Sequence, residues 1–347
     1  MTKDQWGILK SCACGAELAR PPVGLIIDSP WLPGYLGIST LDYVTLPEVW
    51  LKANLQVAGE FPEIIFIPGL WVEAGMAAEP SGFGCKVSLF AEKTPVVHPM
   101  IAGIEELDRI TPPNPLTDGF MPMILNFYRR MVPVARDAGQ EVKIVAARGP
   151  LTVATHLMGV SNFLVGLKVN PVETHRLLEI TTTLVRTWLE AQAAAVPDVE
   201  GILVLDDIAG FLSPKDYLEF AHPCLKQVFD AFPRALKIFH NDTDNPVSYR
   251  FLAELGIQIF NFTHLQPIAK VRELVGPNIC LMGNVPPLEV LAEGTPEEVT
   301  ASARACLEAH PSRKGFILSA GGGTSPGTPG KNIRALVKAA SSQAGTA

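Results

Sequence analysis

The sequence predicts an α/β chain folded as a (β/α)8 TIM barrel, with N-terminal helices before it and an insertion after the second strand. Three observations carry this expectation. Eight short, mostly β-branched apolar runs recur along the 347 residues. Segments with helical periodicity separate them, the alternation that builds a parallel sheet covered by helices. Most runs end in a polar or glycine-bearing group, as barrel strands do where they reach the mouth. A doubly wound open sheet competes, but no Gly-x-Gly-x-x-Gly follows the first run. The expected organisation is one domain over 1–347, with a barrel core of about 22–340.

The runs, in order, are VGLIID (23–28), EIIFIPG (63–69), VKIVAARG (142–149) and GILVLDD (201–207). LKIFHND (236–242), IQIFNFTH (257–264), NICLMGN (278–284) and GFILSAGGG (315–323) complete the set. Near-continuous apolar runs of this length suit strands buried on both faces. The segment 84–141 carries Pro112, Pro113, Pro115, Pro122 and Pro133 and is expected to hold inserted helices and loops. Residues 170–192 read as a long helix with a proline near its start. Residues 213–232 read as a helix capped by Ser213, with Pro214 at its first position. Residues 246–255 and 295–309 read as two more, the latter capped by Thr295 with acidic residues in its first turn. The tail SSQAGTA is expected to fray.

A net charge of −7 and 48% hydrophobic residues describe a globular chain with ample core. The acidic balance argues against nucleic acid as a partner, since phosphate binding needs a basic face. No run of about 18 uncharged apolar residues suggests a membrane span, and the N-terminus does not read as a signal peptide. A cytoplasmic location is the default, and a homodimer is left open. Six dispersed cysteines are too few for a disulfide scaffold. The Cys12-x-Cys14 pair reads as two reduced thiols, and Cys280 as a buried core thiol.

Barrel enzymes place their chemistry where the strands end at the mouth. Those ends carry Asp28, Glu73, Arg148, Asp206, Asp207, His240, Asn241, Asp242, Asn261, His264, Asn284 and the Gly321–Gly323 loop. His240 and Asp242 are the sharpest pair, because residues two apart on a strand project to one side. They suit half of a Zn2+ site, with a third ligand such as Asp206 from another strand end. They equally suit a general base with its orienting carboxylate. The plain alternative is a turn in which Asp242, Asp244 and Asn245 only cap the helix expected from Pro246. Arg148 suits either anion recognition or a structural ion pair. His156, His175 and His222 fall in expected helices and read as structural.

Several segments resemble the uroporphyrinogen decarboxylase superfamily, in particular its corrinoid-dependent methyltransferase branch. They are WVEAGMAAEPSGFGCKV (71–87), GPLTVATHLMGVSNFLVGLKVNP (149–171), LSPKDYLEFAHPCLK (212–226), ICLMGNVPPLEVLAEGTPEEV (279–299) and SAGGGTSPGTPGKNIRALVKA (319–339). Decarboxylases of the superfamily carry an Arg-Gln-Ala-Gly-Arg type stretch; this chain has DSPWLPGYLG from Asp28 instead. In the thiol methyltransferases, the fifth strand ends in His-x-Cys and a Gly-Cys-Gly loop comes after the eighth. Together they bind a zinc ion that activates a thiol such as coenzyme M. At the matching positions stand His240-Asn241-Asp242 and Gly321-Gly322-Gly323. Loss of both thiolates leaves oxygen ligands, which still accept Zn2+ or another divalent ion.

The resemblance therefore implies an O-demethylase methyltransferase, with a decarboxylase acting through Arg148 and the aspartates, or a thiol methyltransferase of the same superfamily, as the alternatives. For the first, the donor would be a small phenyl methyl ether and the acceptor the Co(I) corrinoid (cobalamin) of a partner protein. On this expectation His240, Asp242, Asp206, Glu73 and Arg148 carry the catalysis, with His240, Asp242 and Asp206 as metal ligands. Asp28, Trp31, Tyr35, Trp71, Asp207, Asn241, Asn261, Asn284 and Gly322 line the substrate site. Trp31, Tyr35, Trp71 and Phe83 form its aromatic walls.

Overall fold

Eight parallel strands make up the main sheet of the computed structural model, which describes residues 1–312 and 314–342. They are β1 (Val23–Ile26), β2 (Ile64–Ile67), β3 (Ile144–Arg148), β4 (Gly201–Leu205), β5 (Leu236–Asn241), β6 (Ile259–Phe262), β7 (Cys280–Val285) and β8 (Phe316–Ala320). Each lies within one of the eight predicted runs, except that β7 reaches one residue beyond its run. The order around the sheet is β2-β1-β8-β7-β6-β5-β4-β3, so β2 and β3 flank the seam of a nearly closed barrel. Side chains span that seam. Glu79 Oε1 accepts the backbone N–H of Arg148 at 2.9 Å. The Arg148 guanidinium in turn reaches Glu73 at 3.1 Å.

Strand parity sorts the core into two layers. Ile26, Ile65, Ile144, Leu203, Ile238 and Ile317 pack together inside the barrel. Helix α1 (Lys3–Ala13) closes its floor with Trp6, Leu9 and Cys12. Thr2 and Gln5 form a capping box that fixes the start of this single N-terminal helix. The alternate residues, such as Val204, Phe239, Phe260 and Leu318, face the outer helices. Those include α2 (Pro47–Glu60), α3 (Met121–Asp137), α4 (Pro150–Met158), α5 (Val160–Val169) and α6 (Pro171–Ala195). They continue with α7 (His222–Asp230), α8 (Ile268–Val275), α9 (Pro296–Ala309) and α10 (Gly330–Ser342).

Four expectations change in detail. The 84–141 segment holds an antiparallel hairpin, Lys86–Ser88 with Val96–His98, that the proline-rich pattern hid. The 213–232 helix is not continuous. Ser213 does cap it, but a wide turn at Tyr217–Ala221 precedes α7. Pro223 has no N–H to offer the preceding turn, which accounts for the shifted bonding there. Residues Pro246–Phe251 form a 3₁₀ turn rather than an α-helix. Helix α10 runs through Ser341 and Ser342, the first residues of the tail expected to fray. The rest of that tail, 343–347, lies outside the described residues.

No single helix among the described residues is long and apolar enough to cross a membrane. Helices α4 and α5 reach that composition only as a pair, bent by 105°.

Candidate active site at the barrel mouth

His240 and Asn261 are register partners on β5 and β6, so their side chains share one face. Asn261 fixes the imidazole. Its Nδ2 donates to the carbonyls of Met282 and Ala320, at 2.9 and 3.1 Å. Its Oδ1 must therefore face His240 Nδ1, at 2.7 Å. An amide oxygen only accepts, so Nδ1 carries a proton, and in the neutral form of the ring the free lone pair lies at Nε2. That nitrogen points to Asp207 Oδ1 at 3.6 Å and Asp242 Oδ2 at 3.8 Å. The ligand atoms of Asp207, His240 and Asp242 all lie within 4.8 Å of one another.

One nitrogen and two carboxylates around a common point suit Zn2+ or a similar divalent ion. The Asn261 bond is the kind that orients a metal-bound histidine. Asp207 also accepts the backbone N–H of Asp242 at 3.1 Å, tying the two acids together. Burial raises the Asp207 pKa, and Asp242 adds to the rise while His240 and Arg148 oppose it. Gly322 closes this side of the mouth at φ 142°, and a Cβ there would sit 2.8 Å from Asp242 Oδ2. A side chain at 322 would therefore project onto the cluster.

The structure turns Asp206 away from this cluster and brings Asp207 to it. Strand β4 turns Leu203 and Leu205 inward, which puts Asp207 in the inward phase and Asp206 outward. Fully buried, Asp206 accepts the N–H groups of Leu151 and Thr152 and the Thr152 hydroxyl, at 2.9, 3.2 and 3.0 Å. It caps the start of α4 from a neighbouring strand. Burial pushes its pKa up to about 7, against the pull of these donors. Gly149 lets the two backbones meet, since a Cβ there would overlap the Asp206 carboxylate.

Asp28, Glu73 and Arg148 come together on the opposite half of the mouth. Glu73 Oε1 accepts the backbone N–H of Ser29 at 2.6 Å, and its Oε2 meets Arg148. The Arg148 guanidinium lies over the Trp71 ring, 5.0 Å from its centroid. Burial raises the Asp28 pKa well above the usual carboxylate range; Glu73 adds to this and Arg148 opposes it. Because Arg148 also acts on Asp207, it links the two halves of the mouth electrostatically.

Other expected site residues lie elsewhere. Asn241 bonds to the Asp206 carbonyl and to Thr243, away from the mouth. Asn284 holds the carbonyls of Thr263 and Gln266. Trp31 is fully buried, donates to the Thr328 carbonyl and stacks on Tyr35 at 4.6 Å. Tyr35 bonds to Glu60 of α2. Phe83 belongs to the same outer core as Trp31. Of the four expected aromatic walls, Trp71 packs in the inner layer beneath Arg148. His156 lies in α4, where burial and Arg148 lower its pKa to about 4. Glu79, which closes the seam, was not among the expected residues. It sits in a short helix of the insertion, where no strand pattern marks it.

These features define a (β/α)8 barrel whose mouth carries a metal-competent cluster and a separate acid–arginine cluster. The chain belongs to the uroporphyrinogen decarboxylase (URO-D) family, whose sequence profile matches residues 33–343. This is a family of enzymes that includes decarboxylases and methyltransferases. The chain is 27% identical to the uroporphyrinogen decarboxylase of Thermus thermophilus, over 95% of its own length and 96% of the relative's. It is 25% identical to the methylated-thiol–coenzyme M methyltransferase of Methanosarcina mazei, over 84% and 78%. The solved structure of a methyltransferase from Methanosarcina mazei superimposes with a TM-score of 0.80. That superposition covers 96% of this chain and 97% of the other at 21% identity, and it supports the barrel fold.

Proposed function

We propose that this chain is the methyltransferase component of an O-demethylase system. It moves the methyl group of a phenyl methyl ether to the Co(I) of a corrinoid carried by a separate protein. The observation that carries this reading is the free Nε2 of His240 between two carboxylates, with no thiolate in the cluster. A thiol-activating site is built from softer sulfur ligands; an oxygen-rich one suits an oxygen leaving group. Similarity to a methyltransferase of the same family supports the reaction class.

Asp207, His240 and Asp242 would hold the divalent ion, which when bound supplies Lewis acidity at the ether oxygen. In the transfer, the C–O electron pair leaves with the oxygen as phenolate. The Co(I) electron pair forms the new Co–C bond, giving methyl-Co(III). Asp28, whose carboxyl burial and Glu73 push toward the protonated form against Arg148, would supply the proton that the phenolate takes up. Arg148 and Glu73 brace that half of the mouth on Trp71. The corrinoid protein docks over the rim, where Phe211, Leu265 and Leu288 stand exposed on the loops after β4, β6 and β7.

The test is anaerobic incubation of the full chain with a panel of methoxyarenes and free Co(I) cobalamin. The methyl-Co(III) absorption spectrum is expected to appear, and to be lost in His240→Ala. Failure of every methoxyarene to methylate cobalt would sink the reading.

A second reading, decarboxylation, is favoured by the metal-independent Asp28, Glu73 and Arg148 cluster and by similarity to decarboxylases. It predicts CO2 release from a carboxylated substrate that survives His240→Ala and is lost in Arg148→Ala.

A further inference from the structure

The sequence sets Cys12 beside Cys14, but the fold sets it against Cys280, the first residue of β7, 268 positions away. Cys12 lies in the last turn of α1 and Cys14 caps that helix. Residues two apart project to nearly opposite sides of a helix, so Cys12 faces the barrel floor while Cys14 is exposed. Cys280 belongs to the inward layer of its strand and meets Cys12 there, also buried. The two Sγ atoms stand 3.5 Å apart, and both residues are free thiols. The Cys12 thiol also donates to the carbonyl of Phe316, at the start of β8, at 3.3 Å. The Cys280 backbone is held in the sheet, its N–H donating to the Gln258 carbonyl at 2.8 Å.

Disulfide sulfurs sit about 2.05 Å apart, so this pair is about 1.5 Å short of bonding, within reach of small side-chain rotations. The two thiols differ in acidity. The hydrogen bond with Cys280 lowers the Cys12 pKa, and burial opposes it. Burial raises the Cys280 pKa well above the usual thiol range, and Cys12 adds to the rise. Cys12 is therefore the sulfur that gives up its proton first and becomes the nucleophile. Only one helical turn covers the pair. Cys14, Gly15, Ala16 and Glu17, which follow that turn, are all exposed. Helix ends open more readily than the strands they cover, so fraying of this turn admits a small oxidant.

We propose that Cys12 and Cys280 form a redox-modification site, where a hydroperoxide closes a disulfide that staples α1 to β7 and locks the barrel floor. In the first step the Cys12 thiolate attacks a peroxide oxygen and the O–O bond breaks. The departing oxygen takes up the proton that Cys12 released, which leaves an alcohol (water, from hydrogen peroxide) and a sulfenic acid on Cys12. In the second step the Cys280 sulfur attacks the Cys12 sulfur and the S–O bond breaks. Hydroxide leaves with the Cys280 proton as water. The two thiols are oxidised by two electrons and the peroxide is reduced by two. The new bond would close a loop of most of the chain, which restricts the unfolded state. It lies at the floor, away from the polar groups of the mouth, so the inference holds whichever reaction the mouth carries out.

The test treats the reduced, native full chain with hydrogen peroxide and maps its peptides by mass spectrometry without reduction. A peptide pair joined through Cys12 and Cys280 is expected, lighter by two hydrogens than the separate peptides. The oxidised chain should unfold at a Tm higher by roughly 3–5 °C, the worth of an ordinary disulfide in a chain of this size, and dithiothreitol should reverse the rise. Cys14→Ser changes an exposed side chain and should keep both the link and the rise. Cys280→Ala should lose both, with the same Tm before and after peroxide. Mapping of the parent and of Cys14→Ser decides the matter even where the buried variant folds poorly. A link made through Cys14, a sulfinic acid on Cys12 with no link, or a Cys12–Cys280 link that leaves the Tm unchanged overturns the proposal.

Discussion

At the residue scale, the neighbours Asp206 and Asp207 do opposite work. Their strand is buried on both faces, so hydrophobicity along GILVLDD does not reveal which acid points inward. Only the inward parity of Leu203 and Leu205 decides it, and that parity needs the folded sheet. His240 and Asp242 were legible because a histidine and an acid two apart project together whatever the register. Asn261 was legible as a strand-end polar residue, but its task, holding one imidazole tautomer, was not. Asn261→Ala is expected to weaken Zn2+ binding about 10- to 100-fold, as loss of an orienting partner does, measured by competition with a chelating dye. Asp206 gives a pH prediction. Its folded pKa of about 7 lies above its ordinary 3.8, so the folded state holds more protons between those values. Stability from this group is therefore present below about pH 4 and declines as pH rises toward 7. Thermal unfolding of Asp206→Asn across that window should show a flatter pH dependence than the parent; an equally steep one would refute the assignment.

At the element scale, the eight runs named all eight strands, because a parallel sheet buried on both sides writes itself as continuous apolar stretches. Helix starts at Ser213 and Thr295 were equally readable, and both side chains cap as expected. The hairpin at Lys86–His98 was not, since its half-exposed strands of three residues each leave no alternation to detect. Nor was the seam between β2 and β3. There the Arg148 N–H at the sheet edge is satisfied by Glu79, a contact 69 residues apart in sequence. Burial raises the Glu79 pKa, with the Arg148 N–H opposing. Glu79→Gln keeps an acceptor in place and should be mild. Glu79→Ala leaves a buried donor unpaired and should cost about 1–3 kcal/mol in chemical denaturation. Equal stabilities for the two variants would show that the seam does not depend on this bond.

At the scale of the whole molecule, the barrel separates stability from chemistry. Its floor is sealed by Trp6, Leu9 and Cys12 of α1, while the polar groups gather at the other end. The mouth itself has two halves, and this division was not legible, because strand order around the barrel decides which ends meet. A divalent ion that binds only the folded cluster must stabilise the entire fold by mass action. At a free Zn2+ concentration about 100 times the Kd, the gain is about 2.7 kcal/mol. For a chain of this size that corresponds to a rise in Tm of roughly 4 °C. His240→Ala and Asp207→Asn should abolish the rise. Asp206→Asn should keep it, even though its own Tm differs from the parent's. The contrast between the two adjacent aspartates discriminates sharply, since non-specific zinc binding at the acidic surface would shift both variants alike. A rise retained in Asp207→Asn and lost in Asp206→Asn would restore the ligand set that the sequence suggested and refute the one built from the geometry.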